Sequence, residues 1–289
     1  MPIIEPVIRP PSEGSSFLLQ ITTGCSSNHC TFCGAYQGKE FRFKEEQEIY
    51  SDIRQWAAAN PKTRKAFLLD GDALVVGNSR LVRILKELQR NMPSLRRISS
   101  YANGYNITVR SDAELKELFD NKLKLLYIGL ESGSQEILTQ CRKKSTAQEM
   151  IQAVNRAQKS GIKASVIVLL GLGGRQHSKV HVRDTIKAIN EMQPNFLSFL
   201  CLMLIPGTPL YADAQRGKFQ ELKARELLEQ SYEIIKGLEL KKTIFRSNHA
   251  SNYLSLEGIL PRDKEQLLIV LRQAIKGKIG LRPEIFRGL

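Results

Sequence analysis

The chain of 289 residues has few features that would tie it to a membrane, to secretion or to disorder. Its longest apolar stretches, residues 166–170 and 200–205, are far too short to span a bilayer. The N-terminal run MPIIEPVIRPPSEG has no apolar stretch of signal-peptide length. Hydrophobic residues make up 42% of the chain, which suffices for a core. We therefore expect a soluble cytoplasmic protein with no membrane partner.

Acidic residues are scarce relative to basic ones, 29 against 43, which gives a net charge of +14. Such an excess attracts phosphate-bearing ligands through a long-range field rather than through a specific contact. The basic residues are nevertheless spread along the chain, with no block and no interleaved aromatic residues that would indicate a stacking surface for nucleic acid. A solvated basic surface is the first interpretation, and nucleic acid or a phosphorylated substrate remain alternatives.

Cysteine is also scarce, and three of the five cysteines fall within nine residues. An odd and clustered set does not suit the disulfide framework of a secreted domain and instead indicates a metal centre. The chain has no Gly/Ser linker, no repeat and no low-complexity tract, so we do not expect an appended independent domain.

Short apolar runs alternate with segments of helical periodicity, which predicts a parallel sheet with right-handed crossovers, either doubly wound or an incomplete barrel. The predicted strands are Phe17–Thr22, Ala66–Leu69, Arg97–Tyr101, Leu125–Leu130, Ala164–Leu170 and Phe196–Leu204. The predicted helices are Glu45–Ala59, Arg80–Asn91, Ala113–Asp120, Ala147–Ser160 and Val180–Met192.

Several helix ends carry recognisable signals. Ser111 followed by Glu114 predicts a capping box, Asn78 or Ser79 is expected to cap the second helix, and Gly161 predicts a C-terminal stop. After Pro209 the pattern changes to a C-terminal extension. It contains two amphipathic helices, 220–238 and 262–276, around the polar segment RSNHASNYLSL.

The run TTGCSSNHCTFC follows the first predicted strand and places Cys25, Cys30 and Cys33 in one loop. Cysteine thiolates bind iron–sulfur clusters and structural zinc. A closed zinc site needs four ligands, and the remaining cysteines, Cys141 and Cys201, are isolated. Three ligands would leave one iron of a cluster open to a small molecule.

This loop resembles that of the radical S-adenosylmethionine superfamily, whose usual spacing is Cys, three residues, Cys, two residues, Cys, with an aromatic residue before the last. Phe32 occupies the aromatic place, and the first spacing is longer by one residue. Other runs resemble the superfamily in the same order: FLLDGDAL, YIGLESGS, CRKKSTAQEM, LLGLGG and IPGTPLY. The resemblance covers residues 16 to about 211. By position it implies that the following residues bind the cofactor: Phe32, Asp70, Gly71, Asp72, Glu131, Ser132 and Lys143.

The resemblance implies an α/β fold, a partial (β/α)6 TIM-like barrel with a mainly helical C-terminal extension. The implied parts are an N-terminal extension (1–15), the barrel core (16–211) and a C-terminal extension packed on the barrel (212–289). It also implies a 4Fe-4S cluster on the three cysteines, S-adenosylmethionine, and an electron donor such as flavodoxin or ferredoxin. Reductive cleavage of the cofactor would give a 5'-deoxyadenosyl radical that abstracts hydrogen from a substrate.

The substrate is not given by these shared motifs, because fold and cofactor do not fix function. We expect a small polar substrate, nucleoside-like or phosphorylated, since no RNA-binding appendage is evident; the alternatives are a tRNA- or RNA-modifying enzyme and a non-catalytic iron–sulfur protein. The candidate catalytic residues are Tyr101, Arg246, His249 and Asn252, with Tyr253 beside them. The polar residues 246–253 have two open interpretations, a ligand-binding cluster or a hydrogen-bonded turn.

Overall fold

The computed structural model describes residues 3–288, which fold into ten strands and ten α-helices. The strands are Phe17–Leu19 (β1), Thr22–Thr23 (β2), Arg42–Phe43 (β3), Lys65–Leu68 (β4), Arg97–Tyr101 (β5), Leu123–Glu131 (β6), Lys163–Leu170 (β7), Phe196–Cys201 (β8), Thr243–Arg246 (β9) and Glu257–Leu260 (β10). The helices are Glu46–Ala59 (α1), Asn78–Asn91 (α2), Gly104–Thr108 (α3), Asp112–Asp120 (α4), Gln135–Gln140 (α5), Ala147–Lys159 (α6), Ser178–Met192 (α7), Pro209–Gln215 (α8), Ala224–Gly237 (α9) and Lys264–Ile275 (α10).

The chain divides into two compact units. The first consists of Met1–His29, Cys33–Ile128 and Arg156–Ala164, and the second of Cys30–Phe32, Gly129–Asn155 and Ser165–Leu289. Of the eight strands in the main sheet, β1, β4, β5 and residues 123–128 of β6 belong to the first unit and follow one another in this order. The strands β7, β8, β9 and β10 follow one another in the second.

The strands of the first unit run parallel. Phe17 lies opposite Ala66, Lys65 opposite Arg97, and Tyr101 opposite Tyr127. In β4 the three apolar residues after Lys65 are fully buried. Parallel strands covered on both faces need such continuous apolar runs, because neither face meets water.

The second unit combines parallel and antiparallel pairing. The strand β7 runs parallel to β8, with Leu170 opposite Cys201, and β8 runs parallel to β9. The last strand, β10, is antiparallel to β9, with Leu260 opposite Thr243. The two long C-terminal helices, α9 and α10, pack against each other.

The predicted fold class is confirmed: a mostly parallel eight-stranded sheet alternates with helices. The Ser111 and Glu114 capping box is present, and Gly161 follows α6 with a φ of +92°. The boundaries 1–15, 16–211 and 212–289 stay a prediction. Among residues 3–288, no helix combines the length and apolar character needed to cross a membrane.

Two details of the prediction were wrong. Gly77 is the N-cap of α2, and Asn78 and Ser79 already belong to its first turn. The Asn78 side chain bonds other residues, accepting from Arg110 at 3.4 Å and donating to Glu117 at 2.9 Å. The stretch between the last two helices also contains β9 and β10, which flank the polar segment. These strands are four residues each and partly exposed, so they lack the apolar run that marked the inner strands.

Candidate active site

The cysteine loop begins directly after β2 and lies between β2 and β3, which pair as a small antiparallel ribbon. Gly24 opens the loop with a φ of +74°, and a Cβ at this position would lie 3.2 Å from the Glu40 carbonyl oxygen. This left-handed conformation favours glycine because it has no Cβ to clash. Cys25, Cys30 and Cys33 are half-buried, and none of the five cysteines forms a disulfide. No disulfide therefore withdraws these three thiols from binding a ligand.

Gly71 lies against Cys25 in the first unit. Its backbone N–H donates to the Gly24 carbonyl at 3.2 Å, and a Cβ on Gly71 would lie only 2.6 Å from the Cys25 sulfur. Any side chain here would displace the cysteine. The glycine of the DGD run therefore has a role that the sequence did not reveal, which is to let the end of β4 approach the cysteine loop.

Asp72 is a buried carboxylate in the same unit whose hydrogen-bond donors are all neutral. Ser26 Oγ donates at 3.2 Å, Asn103 donates through its side chain at 2.9 Å and its backbone at 3.4 Å, and Asn106 donates through its amide. Three of these four donors converge on Oδ2, whereas Oδ1 receives only the long bond from the Asn103 backbone. Burial raises the pKa of Asp72, and the donors oppose this shift.

Asp70 has a different environment, although it is only two residues away. It adopts a φ of +70°, and its carboxylate pairs with Lys39 Nζ at 3.1 Å and accepts from Gln20 at 3.1 Å. Lys39 also donates to the carbonyls of Ile4 and Pro6 at 2.7 and 2.8 Å. The Asp70 side chain thus helps to fasten the N-terminal segment, and its role in cofactor binding stays a prediction.

Tyr101 ends β5 in the first unit and belongs to an aromatic cluster. Its ring meets those of Phe67 and Tyr127 edge to face, with centroids 5.3 and 5.9 Å away. A cavity of about 330 Å³ also opens in this unit, lined mainly by the N-terminal segment and residues 37–42. None of the predicted site residues lines this cavity, so its size alone does not mark it as a substrate pocket.

In the second unit, Glu131 and Lys143 form an ion pair of 3.0 Å, with side chains about one-tenth exposed. Glu131 ends β6 with a φ of +62°, which is unusual for a residue with a side chain. The pair lies across Gly129, where a Cβ would be 2.0 Å from Glu131 Oε1. The two residues that the sequence assigned separately to the cofactor are therefore direct neighbours.

Ser132 is held by helix α7. Its Oγ shares a 2.9 Å hydrogen bond with His181 Nδ1, and the N–H of Gly133 donates to Thr185 Oγ1 at 3.0 Å. His181 is fully buried, and its Nε2 has no partner among residues 3–288. Burial lowers the pKa of His181 to about 4, so the imidazole is neutral at pH 7. Sequence reasoning missed His181 and Thr185, whose only signal was their spacing of four on one helix face.

The segment around Cys30 is anchored within the second unit. The Thr31 N–H donates to the Cys141 carbonyl at 3.0 Å, and the Thr31 carbonyl accepts from the Leu210 N–H at 2.9 Å. Phe32 packs on an apolar cluster that includes Cys141 and Leu210. Burial raises the pKa of Cys141 to about 11, which keeps this thiol protonated at neutral pH and unlike a metal-bound thiolate.

Of the polar residues 246–253, Arg246 ends β9 and the others lie in a turn that is tied to β8. Asn252 accepts from the Cys201 N–H at 2.8 Å and donates to the Phe199 carbonyl at 2.7 Å. His249 Nδ1 accepts from the Ser251 N–H at 3.1 Å, while Arg246 is exposed and 3.7 Å from Glu257. The cavity beside Asn252 has a volume of about 10 Å³, too small for a substrate. These bonds favour the hydrogen-bonded turn, and contact of these residues with a substrate stays a prediction.

Comparison of the chain with known proteins identifies its family. The family model of the Radical SAM superfamily matches residues 19–189. The chain belongs to this superfamily. The matched segment contains the cysteine loop, the DGD run and the Glu131–Lys143 pair. Among residues 3–288, no three His, Cys, Asp or Glu side chains are arranged to hold a single metal ion.

The chain is similar to curated and solved proteins of several activities. It is 26% identical over 204 residues to an uncharacterised methyltransferase of Pyrococcus horikoshii, covering 69% of this chain and 42% of that protein. Methylornithine synthase has the same fold over 92% of this chain and 83% of its own, at 16% identity and a TM-score of 0.53. The methyltransferase TsrM from Kitasatospora setae, solved with cobalamin and a [4Fe-4S] cluster, aligns over 69% of this chain and 39% of its own, at 17% identity and a TM-score of 0.55.

Proposed function

We propose that this chain is a radical S-adenosylmethionine enzyme that holds a [4Fe-4S] cluster on Cys25, Cys30 and Cys33. The observation that carries the proposal is this loop of three reduced, half-buried cysteines, which lies inside the segment matched to the superfamily. The cluster would supply one electron to the sulfonium of S-adenosylmethionine, whose cleavage gives a 5'-deoxyadenosyl radical that removes hydrogen from the substrate.

The donor set suits an iron–sulfur cluster. Thiolates are soft ligands that bind iron–sulfur clusters, whereas a structural zinc site would need a fourth ligand. Gly71 supports this assignment, because its missing side chain leaves room for the Cys25 sulfur beside the end of β4. The apolar packing of Phe32 orders one of the two residues between Cys30 and Cys33.

We assign cofactor binding to the residues that the sequence indicated: Phe32, Asp70, Gly71, Asp72, Glu131, Ser132 and Lys143. Asp72 has the strongest support, because Oδ1 retains capacity for a donor and no cation pairs with this carboxylate within the described residues. An ammonium group would therefore add a charge-assisted hydrogen bond to a buried carboxylate whose present hydrogen-bond donors are neutral and which Arg110 influences only through its charge. Lys143 offers the opposite charge, and a carboxylate of the cofactor could share it with Glu131.

We further propose that the substrate is a small polar molecule, nucleoside-like or phosphorylated, with flavodoxin or ferredoxin as the electron donor.

Four exposed basic residues lie at the amino ends of β4 and β5 in the first unit. We call this group the basic edge, and its members are Lys62, Arg64, Lys65 and Arg96. Within residues 3–288 none of them forms an ion pair. Asp72 and Tyr101 lie at or just after the carboxyl ends of the same strands, whereas the basic edge lies at their amino ends. This charge would thus hold RNA away from those residues, although RNA modification remains the second candidate because of the net charge of +14.

The cluster assignment is tested by anaerobic reconstitution. We expect about four irons and four sulfides per chain, and 5'-deoxyadenosine formation when dithionite and S-adenosylmethionine are added. Replacing Cys25, Cys30 and Cys33 by Ala should abolish both, because the thiolates that hold the iron are gone. The measurements are iron and sulfide analysis and chromatography of the nucleoside product.

Cys201→Ala is the matched control, because Cys201 is a buried cysteine whose pKa is raised to about 11 by burial. This variant should retain full iron content. Stoichiometric zinc after anaerobic purification, with no uptake of iron on reconstitution, would refute the assignment.

A further inference from the structure

Tyr36 lies three residues after Cys33, in the turn that closes the cysteine loop. Its carbonyl oxygen accepts from the Asn28 amide at 2.9 Å and from the Lys39 N–H at 3.1 Å. The Lys39 ammonium lies 5.6 Å from the centroid of the Tyr36 ring and is itself paired with Asp70. Both the backbone and the ring of Tyr36 are therefore fixed by groups of the first unit.

The Tyr36 hydroxyl has no hydrogen-bond partner among residues 3–288, although the side chain is only 3% exposed. A buried donor without an acceptor costs about 1–3 kcal/mol, and native proteins rarely leave one. The ionisable neighbours of the phenol are Asp70, Tyr101, Cys25 and Cys33. Burial, followed by the Asp70 carboxylate, raises the pKa of Tyr36, so the phenol stays a donor over the working pH range.

Among these neighbours the sulfur atoms are the acceptors that suit an additional donor. The Tyr36 hydroxyl donates to neither Asp70 nor Tyr101 in the structure. Cys25 and Cys33 would become thiolates when they bind iron, and a thiolate or cluster sulfide carries more negative charge than a thiol. The charge increases further when the cluster is reduced, and hydrogen bonds to sulfur are one of the factors that set cluster potentials.

We propose that the Tyr36 hydroxyl donates a hydrogen bond to a sulfur of the iron–sulfur cluster beside Cys25 and Cys33 and raises its reduction potential. This inference rests on the proposed function, because it requires the cluster. It assigns Tyr36 a tuning role rather than a ligand role. The bond stabilises the reduced cluster more than the oxidised one, since the acceptor is more negative in the reduced state.

The test is Tyr36→Phe in the reconstituted protein without S-adenosylmethionine, measured by a redox titration that follows the EPR signal of the reduced cluster. We expect unchanged iron content and a lower midpoint potential. The expected loss is about tenfold in the reduction equilibrium constant, which corresponds to about 59 mV for a one-electron couple. The matched control is Tyr127→Phe, because Tyr127 is also buried but its hydroxyl already bonds Glu13 at 2.7 Å. This control should leave the potential unchanged.

Two further measurements separate tuning from a structural role. Thermal unfolding of the cluster-free chain should show no loss of stability for Tyr36→Phe, because the hydroxyl has no acceptor within the described part of the chain. Replacing Tyr36 by 3-fluorotyrosine keeps the ring and strengthens the donor, so it should shift the potential upward. An unchanged potential in both variants, or a destabilised cluster-free Tyr36→Phe chain, would overturn the inference. Failure of the wild-type chain to bind iron would instead refute the proposed function.

Discussion

The two carboxylates of the DGD run differ in what they bond to, although they lie two residues apart. Asp70 is neutralised by Lys39, whereas Asp72 relies on the neutral donors Ser26, Asn103 and Asn106. A buried ion pair holds its partners tightly, because removing one leaves an uncompensated charge. A buried carboxylate with neutral donors can still accept a cation. The two residues are therefore expected to respond differently to the same substitution.

We predict that Asp72→Asn weakens S-adenosylmethionine binding by roughly 1–3 kcal/mol, the range for a hydrogen bond to a charged group. Iron content should not change, because Asp72 is not a thiolate ligand. Anaerobic titration calorimetry measures the affinity. Asp70→Asn is the matched comparison, and we expect it to reduce the free energy of unfolding by about 3–5 kcal/mol because it leaves Lys39 unpaired. If wild type and Asp72→Asn bind S-adenosylmethionine with equal affinity, the DGD run is only a turn and has no role in cofactor binding.

Single residues also show how far sequence reasoning can reach. The cysteines were found because three thiols in nine residues are rare and need no distant partner. The Ser132–His181 bond joins residues 49 positions apart, and no local pattern encodes such a pairing. The same holds for Tyr36, whose significance depends on a missing partner and therefore on the fold. Asn252 shows a different difficulty. Its polar side chain suggested contact with a ligand, but its hydrogen bonds are made to the backbone of Cys201 and Phe199.

At the level of elements, most boundaries of the inner strands and the long helices were predicted to within about three residues. Apolar periodicity determines them, because each buries a continuous face. The outer strands β9 and β10 were missed because they are short and partly exposed, so burial leaves little pattern in their sequence. The start of α2 was misplaced because Asn78 and Ser79 belong to the first turn of the helix. The Asn78 side chain bonds Arg110 and Glu117, and local capping rules do not include such distant partners.

The turn after β6 gives a prediction about how two elements are held together. A Cβ on Gly133 would lie 2.2 Å from the Asp184 carbonyl oxygen and 2.6 Å from the Thr185 Cα, both on α7. We expect Gly133→Ala to lower the free energy of unfolding by about 1–3 kcal/mol, the usual cost of overpacking, because the backbone atoms of a helix cannot rotate away. Denaturant unfolding at neutral pH measures this loss.

Gly280→Ala is the control for that substitution, since a Cβ at Gly280 meets nothing within 4 Å. It should leave the stability within about 0.5 kcal/mol of wild type, as surface substitutions usually do. If Gly133→Ala is also tolerated at this level, the packing of the Ser132 turn against α7 is looser than its contacts indicate. The cofactor affinity of Gly133→Ala should fall as well, because this turn carries Ser132.

At the scale of the whole molecule, the charge of +14 raises the question of whether it serves catalysis or only the surface. The first unit answers in part, since the basic edge lies at the amino ends of β4 and β5 while Asp72 and Tyr101 lie at their carboxyl ends. A polyanion attracted to the basic edge gains phosphate contacts that are independent of its sequence and weaken with salt. Polyanion binding of this kind could therefore be removed by salt without changing the rate of turnover.

We therefore predict that a metabolite extract, and not total RNA, stimulates the formation of 5'-deoxyadenosine from S-adenosylmethionine in the reconstituted protein. A substrate that completes the active site would exclude water and place a carbon near the reacting group, and both effects raise the rate. The basic edge provides the internal control. The double variant Lys65→Glu, Arg96→Glu should weaken RNA binding and reduce the slope of its salt dependence by about two, one for each phosphate that is no longer neutralised. The same variant should respond to the metabolite extract as wild type does, because neither residue lies at the carboxyl ends of the strands.

Stimulation by RNA that disappears in the double variant would make the basic edge part of substrate recognition and would replace the small-molecule proposal with RNA modification.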